Sequence, residues 1–300
     1  MKQCVEKICF WLKNSRIFSL PMTLLSWLVI FVYALKFNGN IINGIAALIG
    51  IACAHLATNL FDDYIDYKKL SENSQKCKCA YIKEGYATLD DVLRVVIIYC
   101  GIAFLTGVFL TYRAGFPVIV LAVVGGMLTL LYAKLSQIGL SEVAVGLAFG
   151  PLLFEGVYYV MTKTFSAEVF FLSLAVVMFT IGLMYVHTIL DFEGDMCSHK
   201  LTLCCRIGDK NKAINGVFLV YGLAYLFTVI LASMLNNYLL LFTFVLAPLI
   251  FKMHKSLKTY TCGGDTKEFY LRLLQARNLM VYFSLMITCL LYTSDAADEG

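Results

Sequence analysis

Between Ile41 and Leu60 the chain runs without one Asp, Glu, Lys or Arg, and then places Asp62, Asp63 and Asp66 within the next six residues. About twenty apolar residues suffice to cross a bilayer as a helix. In hydrocarbon only helices and closed barrels satisfy every backbone N–H and C=O. Apolar stretches of this kind recur at roughly 16–37, 41–61, 92–111, 117–134, 140–161, 168–190, 213–234 and 238–253, and a ninth opens near Asn278. The sequence therefore predicts an all-α polytopic membrane helix bundle of about nine transmembrane helices. Hydrophobic residues are 60% of the chain and charged residues 15%, which excludes an ordinary soluble domain. The first stretch follows a basic N-terminus, lacks a small-residue cleavage site and is too long for a signal peptide, so it reads as a retained span.

Charge sets the expected orientation. Of 24 Lys and Arg residues, only Lys36, Arg113 and Lys163 fall on one side when the spans are threaded alternately. The rest cluster on the side of the N-terminus, which the positive-inside rule makes cytoplasmic. The expected location is thus the cell membrane, with the N-terminus and both long polar loops, 62–91 and 191–212, facing the cytoplasm.

Those loops open on acid. Asp62 and Asp66 share a helix face at spacing i, i+4, with Asn59 one turn earlier; Asn59 and Asp63 form a second such pair. Downstream, Asp191-Phe192-Glu193-Gly194-Asp195 ends another apolar segment with the same spacing. Carboxylates at membrane depth are expensive and point to function. Hard Mg²⁺ takes oxygen ligands and is commonly held by one or two carboxylates together with substrate phosphates. Two acidic helix ends on one membrane face suit a cation-bound diphosphate. Asp62-Asp63-Tyr64-Ile65-Asp66 also fits the DDxxD pattern of soluble prenyl-diphosphate enzymes, an overlap of chemistry and not of fold.

Other residues carry open alternatives. Asp63 reads either as a site residue or as a hydrated carboxylate beside the tidier Asp62/Asp66 pair. Glu193 lies off the Asp191/Asp195 face. His55 and His187, one turn before each cluster, read as hydrogen-bonded polar groups, since Mg²⁺ prefers oxygen. Asp90 and Asp91 read as N-caps. Lys252, Lys255 and Lys258 read as a headgroup anchor, and Lys134 as a snorkelling span end. Gly125-Gly126 would permit close helix approach or a kink. Tyr64, Tyr67, Tyr132 and Tyr185 could face a cation or simply pack. The eleven cysteines read as structural thiols. Cys77-Lys78-Cys79 and Cys204-Cys205 fit no common zinc spacing.

Asn59-x-x-Asp62-x-x-x-Asp66 and Asp191-x-x-x-Asp195 resemble the two aspartate-rich motifs of the UbiA-type intramembrane aromatic prenyltransferases. Within that superfamily the likeness is greatest to the 1,4-dihydroxy-2-naphthoate polyprenyltransferases of menaquinone biosynthesis. It is carried by Thr58-Asn59-Leu60, Asp63-Tyr64 and Asp66-Tyr67-Lys68-Lys69 around the first motif. Leu190-Asp191 to Asp195, then Lys200-Leu201-Thr202-Leu203 and Ile207-Gly208, carry it around the second. Glu142, Gly150-Pro151, Gly156 and Tyr158-Tyr159 resemble the middle section, so the likeness extends over about 55–290.

The resemblance implies a Mg²⁺-dependent transfer of a polyprenyl group from its diphosphate to an aromatic acceptor, 1,4-dihydroxy-2-naphthoate or, alternatively, 4-hydroxybenzoate or a similar ring. It implies Asp62, Asp66, Asp191 and Asp195 as metal-binding and catalytic carboxylates, with Asn59 assisting. Lys200, Lys78, Lys83, Asp63, Tyr64, Tyr185 and Glu142 are implied to be substrate contacts. Three positions depart from the pattern: Asp62 stands where Asn is usual, His199 where Gly is usual, and Lys78-Cys79-Ala80 where an Arg-Thr-Leu stretch is expected. Lys78 or Lys83 would then replace the arginine as a point charge.

Two other classes compete. A carboxylate-dependent transporter would place its acids near the bilayer midplane, whereas these lie at span ends beside basic loops. A CDP-alcohol phosphotransferase would carry an Asp-Gly-Ala-Arg signature, which is absent. The expected partners are the diphosphate donor, the aromatic acceptor and the bilayer; nothing calls for nucleic acid or an obligate protein partner. Finally, Cys289 to Glu299 reads as a translated transposon-type sequencing adapter. The expected organisation is one prenyltransferase domain over 1–288, its last span truncated, followed by a non-native tail at 289–300.

Overall fold

A computed structural model describes residues 2–69, 79–197, 202–260 and 266–293. They are almost wholly helical, and no strand occurs among the described residues. The chain divides into two compact units, one of residues 1–24 and 41–134, the other of residues 25–40 and 135–300.

The first unit begins with the amphipathic α1 (Lys2–Asn14), a 3₁₀ turn (Ile17–Ser19) and the opening of α2 (Leu20–Leu35). It continues with α3 (Ile41–Lys69), the short α4 (Ala80–Lys83), α5 (Leu89–Ala114) and most of α6 (Pro117–Gln137). α3 and α5 pack along one another. Gly50 lets them approach, because a Cβ there would lie 2.5 Å from the Thr106 hydroxyl. The start of α5 is a capping box: Thr88 accepts from the Asp91 amide and the Asp91 carboxylate accepts from Thr88. Thr88 is thus the N-cap expected at Asp90 or Asp91, with Asp91 its reciprocal partner. α6 carries large exposed side chains, including Ile119, Val123, Met127 and Leu130. A Cβ at Gly126 would meet nothing within 4 Å, so that glycine creates no close helix contact.

The second unit holds the rest of α2 and a broken span. α7 (Ser141–Leu147) passes through a π turn (Ala148–Leu152) into α8 (Leu153–Thr162). Gly150 has non-helical dihedrals (φ −96°, ψ −114°), and Pro151 lacks the N–H that would bridge the break. α9 (Ala167–Leu190) is the most buried helix of this unit. Two short helices follow, α10 (Phe192–Cys197) and α11 (Leu203–Ile207). Then come α12 (Lys210–Met234), a 3₁₀ helix (Tyr238–Leu246) leading into α13 (Ala247–Lys258), and α14 (Thr266–Thr293). α9 packs on α12 and α14, with Phe179 stacked on Phe283 at 3.9 Å between ring centres.

Among the described residues eight helices are long and apolar enough to cross a membrane, and Pro117–Tyr132 is a shorter apolar helix, together the nine segments expected. Two boundaries differ. α14 starts at Thr266, not near Asn278, because Lys267, Glu268, Arg272 and Arg277 sit on its early turns and mask it in a hydropathy reading. It also runs past Thr288 to Thr293. There Leu291 is buried, its carbonyl accepts from Lys36 Nζ (2.9 Å), and the Leu290 carbonyl accepts from Asn237 (3.2 Å). Lys36 thereby satisfies a carbonyl in the last described turn of α14. The two other cations that break the charge pattern are also engaged: Arg113 donates to the Asn43 side chain, and Lys163 closes α8 in the left-handed region.

Candidate active site

The first acidic motif sits on the last two turns of α3, which stays helical to Lys69. Asp63, not Asp62, is the deeply buried carboxylate, 2% exposed. A carboxylate so placed needs partners, and three elements supply them. Arg16, in the left-handed turn after α1, donates from its guanidinium to Asp63 Oδ1 and lies 3.8 Å from Asp62 Oδ2. The Tyr81 hydroxyl, on α4, donates to Asp63 Oδ2 at 3.2 Å. The Cys79 thiol donates to the Asp63 backbone carbonyl at 3.6 Å.

Burial opposes the charge on Arg16, but Asp63 and then Asp62 outweigh it and hold the guanidinium firmly protonated. Burial, reinforced by the charge on Asp63, pushes the Tyr81 phenol far up, so it remains a donor. The same causes, with Asp66 added, push the Cys79 thiol up to about 12.

One turn earlier on α3, the Asn59 amide donates to the Ser15 carbonyl and the Ser19 hydroxyl, both at 3.1 Å. His55 lies between Ser19 (3.1 Å) and Thr23 (2.7 Å), the hydrogen-bonded role expected of it. Phe10 and Trp11 of α1 meet the Tyr81 ring edge-on. Tyr64 stacks on Phe61, and Lys68 both donates to its hydroxyl (2.7 Å) and lies over its ring (4.1 Å). Lys83 is partly exposed at the end of α4; Lys78 lies outside the described residues. Arg16 and Tyr81 were not singled out by sequence reasoning. Their signal was weak: an arginine directly before the first span, and a tyrosine in a polar loop.

The second motif straddles a break. α9 ends at Leu190, Asp191 occupies the junction, and the Asp195 amide bonds the Asp191 carbonyl at 2.8 Å, so the i, i+4 relation survives. Asp191 Oδ2 lies 3.3 Å from His187 Nδ1. Glu193, off the shared face, pairs with Lys210 at 3.3 Å. Lys210 and Arg272 both lie over the Tyr260 ring, at 5.4 and 5.0 Å. Lys200 lies outside the described residues. Tyr185, expected as a substrate contact, is 2% exposed and its hydroxyl donates to the Ala213 carbonyl (2.8 Å), fastening α9 to α12. Glu142 is also buried, at 6% exposure, at the start of α7.

Among the described residues no group of three or more His, Cys, Asp or Glu side chains converges as a finished metal cage. Each motif instead offers a pair of carboxylates. Such a donor set fits Mg²⁺, which completes its shell from water and substrate phosphate.

A profile of the UbiA prenyltransferase family matches residues 19–276. The chain belongs to that family; it is a prenyltransferase and a multi-pass membrane protein. It is 26% identical over 271 residues to a 1,4-dihydroxy-2-naphthoate octaprenyltransferase of Haemophilus influenzae, covering 84% of this chain and 86% of that relative. A second 1,4-dihydroxy-2-naphthoate octaprenyltransferase, from Bacillus subtilis, is 21% identical over 62% of this chain and 61% of its own length. The fold matches a solved UbiA homolog from Archaeoglobus fulgidus bound to GPP and Mg²⁺, with a TM-score of 0.63, 12% identity, and coverage of 94% of this chain and 99% of that one.

Proposed function

We propose that the chain transfers a polyprenyl group from its diphosphate to 1,4-dihydroxy-2-naphthoate, with Mg²⁺ required. The observation that carries the reaction is the pair of carboxylate-bearing helix ends, each with an auxiliary carboxylate already paired to a cation: Asp63 to Arg16 and Glu193 to Lys210. Asp62, 3.8 Å from Arg16, with Asp66 on one end, and Asp191, 3.3 Å from His187, with Asp195 on the other, are the oxygen donors we assign to a cation-bound diphosphate. The naphthoate acceptor is supported by the names of the bacterial relatives.

Bound Mg²⁺ would offset the charge that gathers on the departing diphosphate. Asn59, tied to Ser15 and Ser19, braces the turn before Asp62. Lys200, Lys78 and Lys83 are the candidate point charges for phosphate oxygens. Tyr64 is the candidate ring for the allylic cation, which would displace the Lys68 ammonium that lies over it. The N-terminus and both motifs are assigned to the cytoplasmic side by the distribution of Lys and Arg. The domain is taken as residues 1–288, with 289–300 as a non-native tail.

The test incubates membranes containing the protein with a polyprenyl diphosphate and Mg²⁺. Dihydroxynaphthoate and 4-hydroxybenzoate are offered together and the lipid products are read by mass. A decarboxylated prenyl-naphthoquinol is expected, and it should vanish with EDTA and in Asp62→Ala and Asp191→Ala. Prenylated hydroxybenzoate would overturn the acceptor. Full activity in both aspartate variants would overturn the site.

A further inference from the structure

Glu142 opens α7 in the second unit, and its side chain is buried, at 6% exposure. Its Oε2 accepts from the Ser141 hydroxyl at 2.9 Å, while its Oε1 has no hydrogen-bond partner among the described residues. A buried carboxylate oxygen without a donor is costly, and a native protein that keeps one has a use for it. The groups facing Glu142 are the Tyr185 phenol from α9 and the Cys204 thiol from α11, both within its electrostatic reach. Neither serves it as a donor. Tyr185 donates to the Ala213 carbonyl at 2.8 Å, and Cys204 is engaged with the Thr188 hydroxyl at 3.2 Å. Thr188 and Tyr185 precede Asp191 by three and six residues, about 4.5 and 9 Å along the helix axis. α7 packs on α9, so Glu142 lies beside the stretch of α9 that leads to the second acidic motif.

We propose that Glu142 Oε1 binds a ring hydroxyl of the aromatic substrate and acts as its general base. This rests on the prenyl-transfer reading above. As the ring attacks, the hydroxyl proton passes to Oε1 and the oxygen's electron pair moves into the ring. The attacked ring carbon bonds to prenyl C1, while the C1–O bond breaks and its pair leaves with the diphosphate. When that ring carbon carries a carboxylate, carbon dioxide departs, its bonding pair returns to the ring oxygen, and Glu142 gives the proton back. Ser141 holds the other oxygen in place throughout.

Glu142→Gln keeps size and polarity but removes the base. In membranes supplied with farnesyl diphosphate, Mg²⁺ and dihydroxynaphthoate, kcat/KM for the naphthoate should fall about 100-fold, within the range of general-base catalysis. The KM for farnesyl diphosphate should stay at the wild-type value. A mono-O-methyl naphthoate tested on wild type and variant completes a cycle: the wild type should strongly prefer the free hydroxyl, and Glu142→Gln should lose that preference. An unchanged kcat/KM, or an unchanged hydroxyl preference, would overturn the assignment. Because the wild-type arm uses no substitution, a variant that fails to fold leaves the ether comparison decisive: equal turnover of ether and free hydroxyl by the wild type also overturns it. Failure of the wild type to consume farnesyl diphosphate with any aromatic ring would instead overturn the prenyl-transfer reading.

Discussion

Arg16→Ala removes the guanidinium from a carboxylate that is 2% exposed. Breaking a buried ion pair from one side costs about 3–5 kcal/mol, because the remaining charge stays desolvated. Two features of this site lower the figure. The Arg16 side chain is 34% exposed, so its removal opens a path for water, and the Tyr81 hydroxyl still donates to Asp63 at 3.2 Å. We expect a loss of about 2 kcal/mol, below the buried-pair range. Each kcal/mol moves the midpoint of a domain of 150–250 residues by about 2–4 °C, so roughly 4–8 °C is expected here. The assay is the apparent midpoint in detergent, followed by the monomer peak in size exclusion after heating.

The diagnostic arm is a cycle with Asp63→Asn. Neutralising Asp63 removes the charge that Arg16 compensates, so the double variant should be more stable than the sum of the single losses, by at least about 1 kcal/mol. Arg16→Lys retains the charge without the fork that reaches both Asp63 and Asp62, and should fall between wild type and alanine. An Arg16→Ala protein that melts with the wild type, together with zero coupling, would mean that Asp63 is hydrated and that Arg16 plays no part in holding the motif.

Lys210→Ala is the contrast: its partner Glu193 is 57% exposed, so the ion pair is worth about 0–1 kcal/mol and the midpoint should barely move. Gly216→Ala should destabilise by about 1–3 kcal/mol by overpacking, since the new Cβ would run into the Tyr185 hydroxyl; adding Tyr185→Phe should recover part of the loss in the same melting assay. The Cys79 thiol, fully buried and held near 12, should resist maleimide at pH 8 while exposed Cys9 reacts, as read by peptide mass. Its raised pKa favours the neutral thiol, so that contribution to stability is complete below the ordinary thiol range near 8.5 and is lost as pH rises toward about 12. Cys9 should also be alkylated by an impermeant maleimide in inverted vesicles and spared in intact cells, and the reverse pattern would invert the assigned topology.

Hydrophobic length and charge placement were enough to obtain the all-helical spans, because a bilayer solvent leaves the backbone no other economical choice. The two acidic motifs were legible for a related reason: Asp62, Asp66, Asp191 and Asp195 are local in sequence, and i, i+4 spacing alone puts each pair on one helix face. The start of α14 was hidden by Lys267, Arg272 and Arg277, which a long helix accommodates by projecting them from its end. What spacing could not supply was partnership. Asp63 reads from sequence either as a site residue or as a hydrated carboxylate, and only the return of α1 and α4 onto α3 made it the buried, Arg16-paired one. Tyr185 sits six residues before Asp191, and only the packing of α9 on α12 shows that its hydroxyl donates to the Ala213 carbonyl. The helices were determined by short-range periodicity and solvent; the partnerships of Arg16, Tyr81 and Tyr185 were decided by contacts between elements far apart in sequence, which no local pattern encodes.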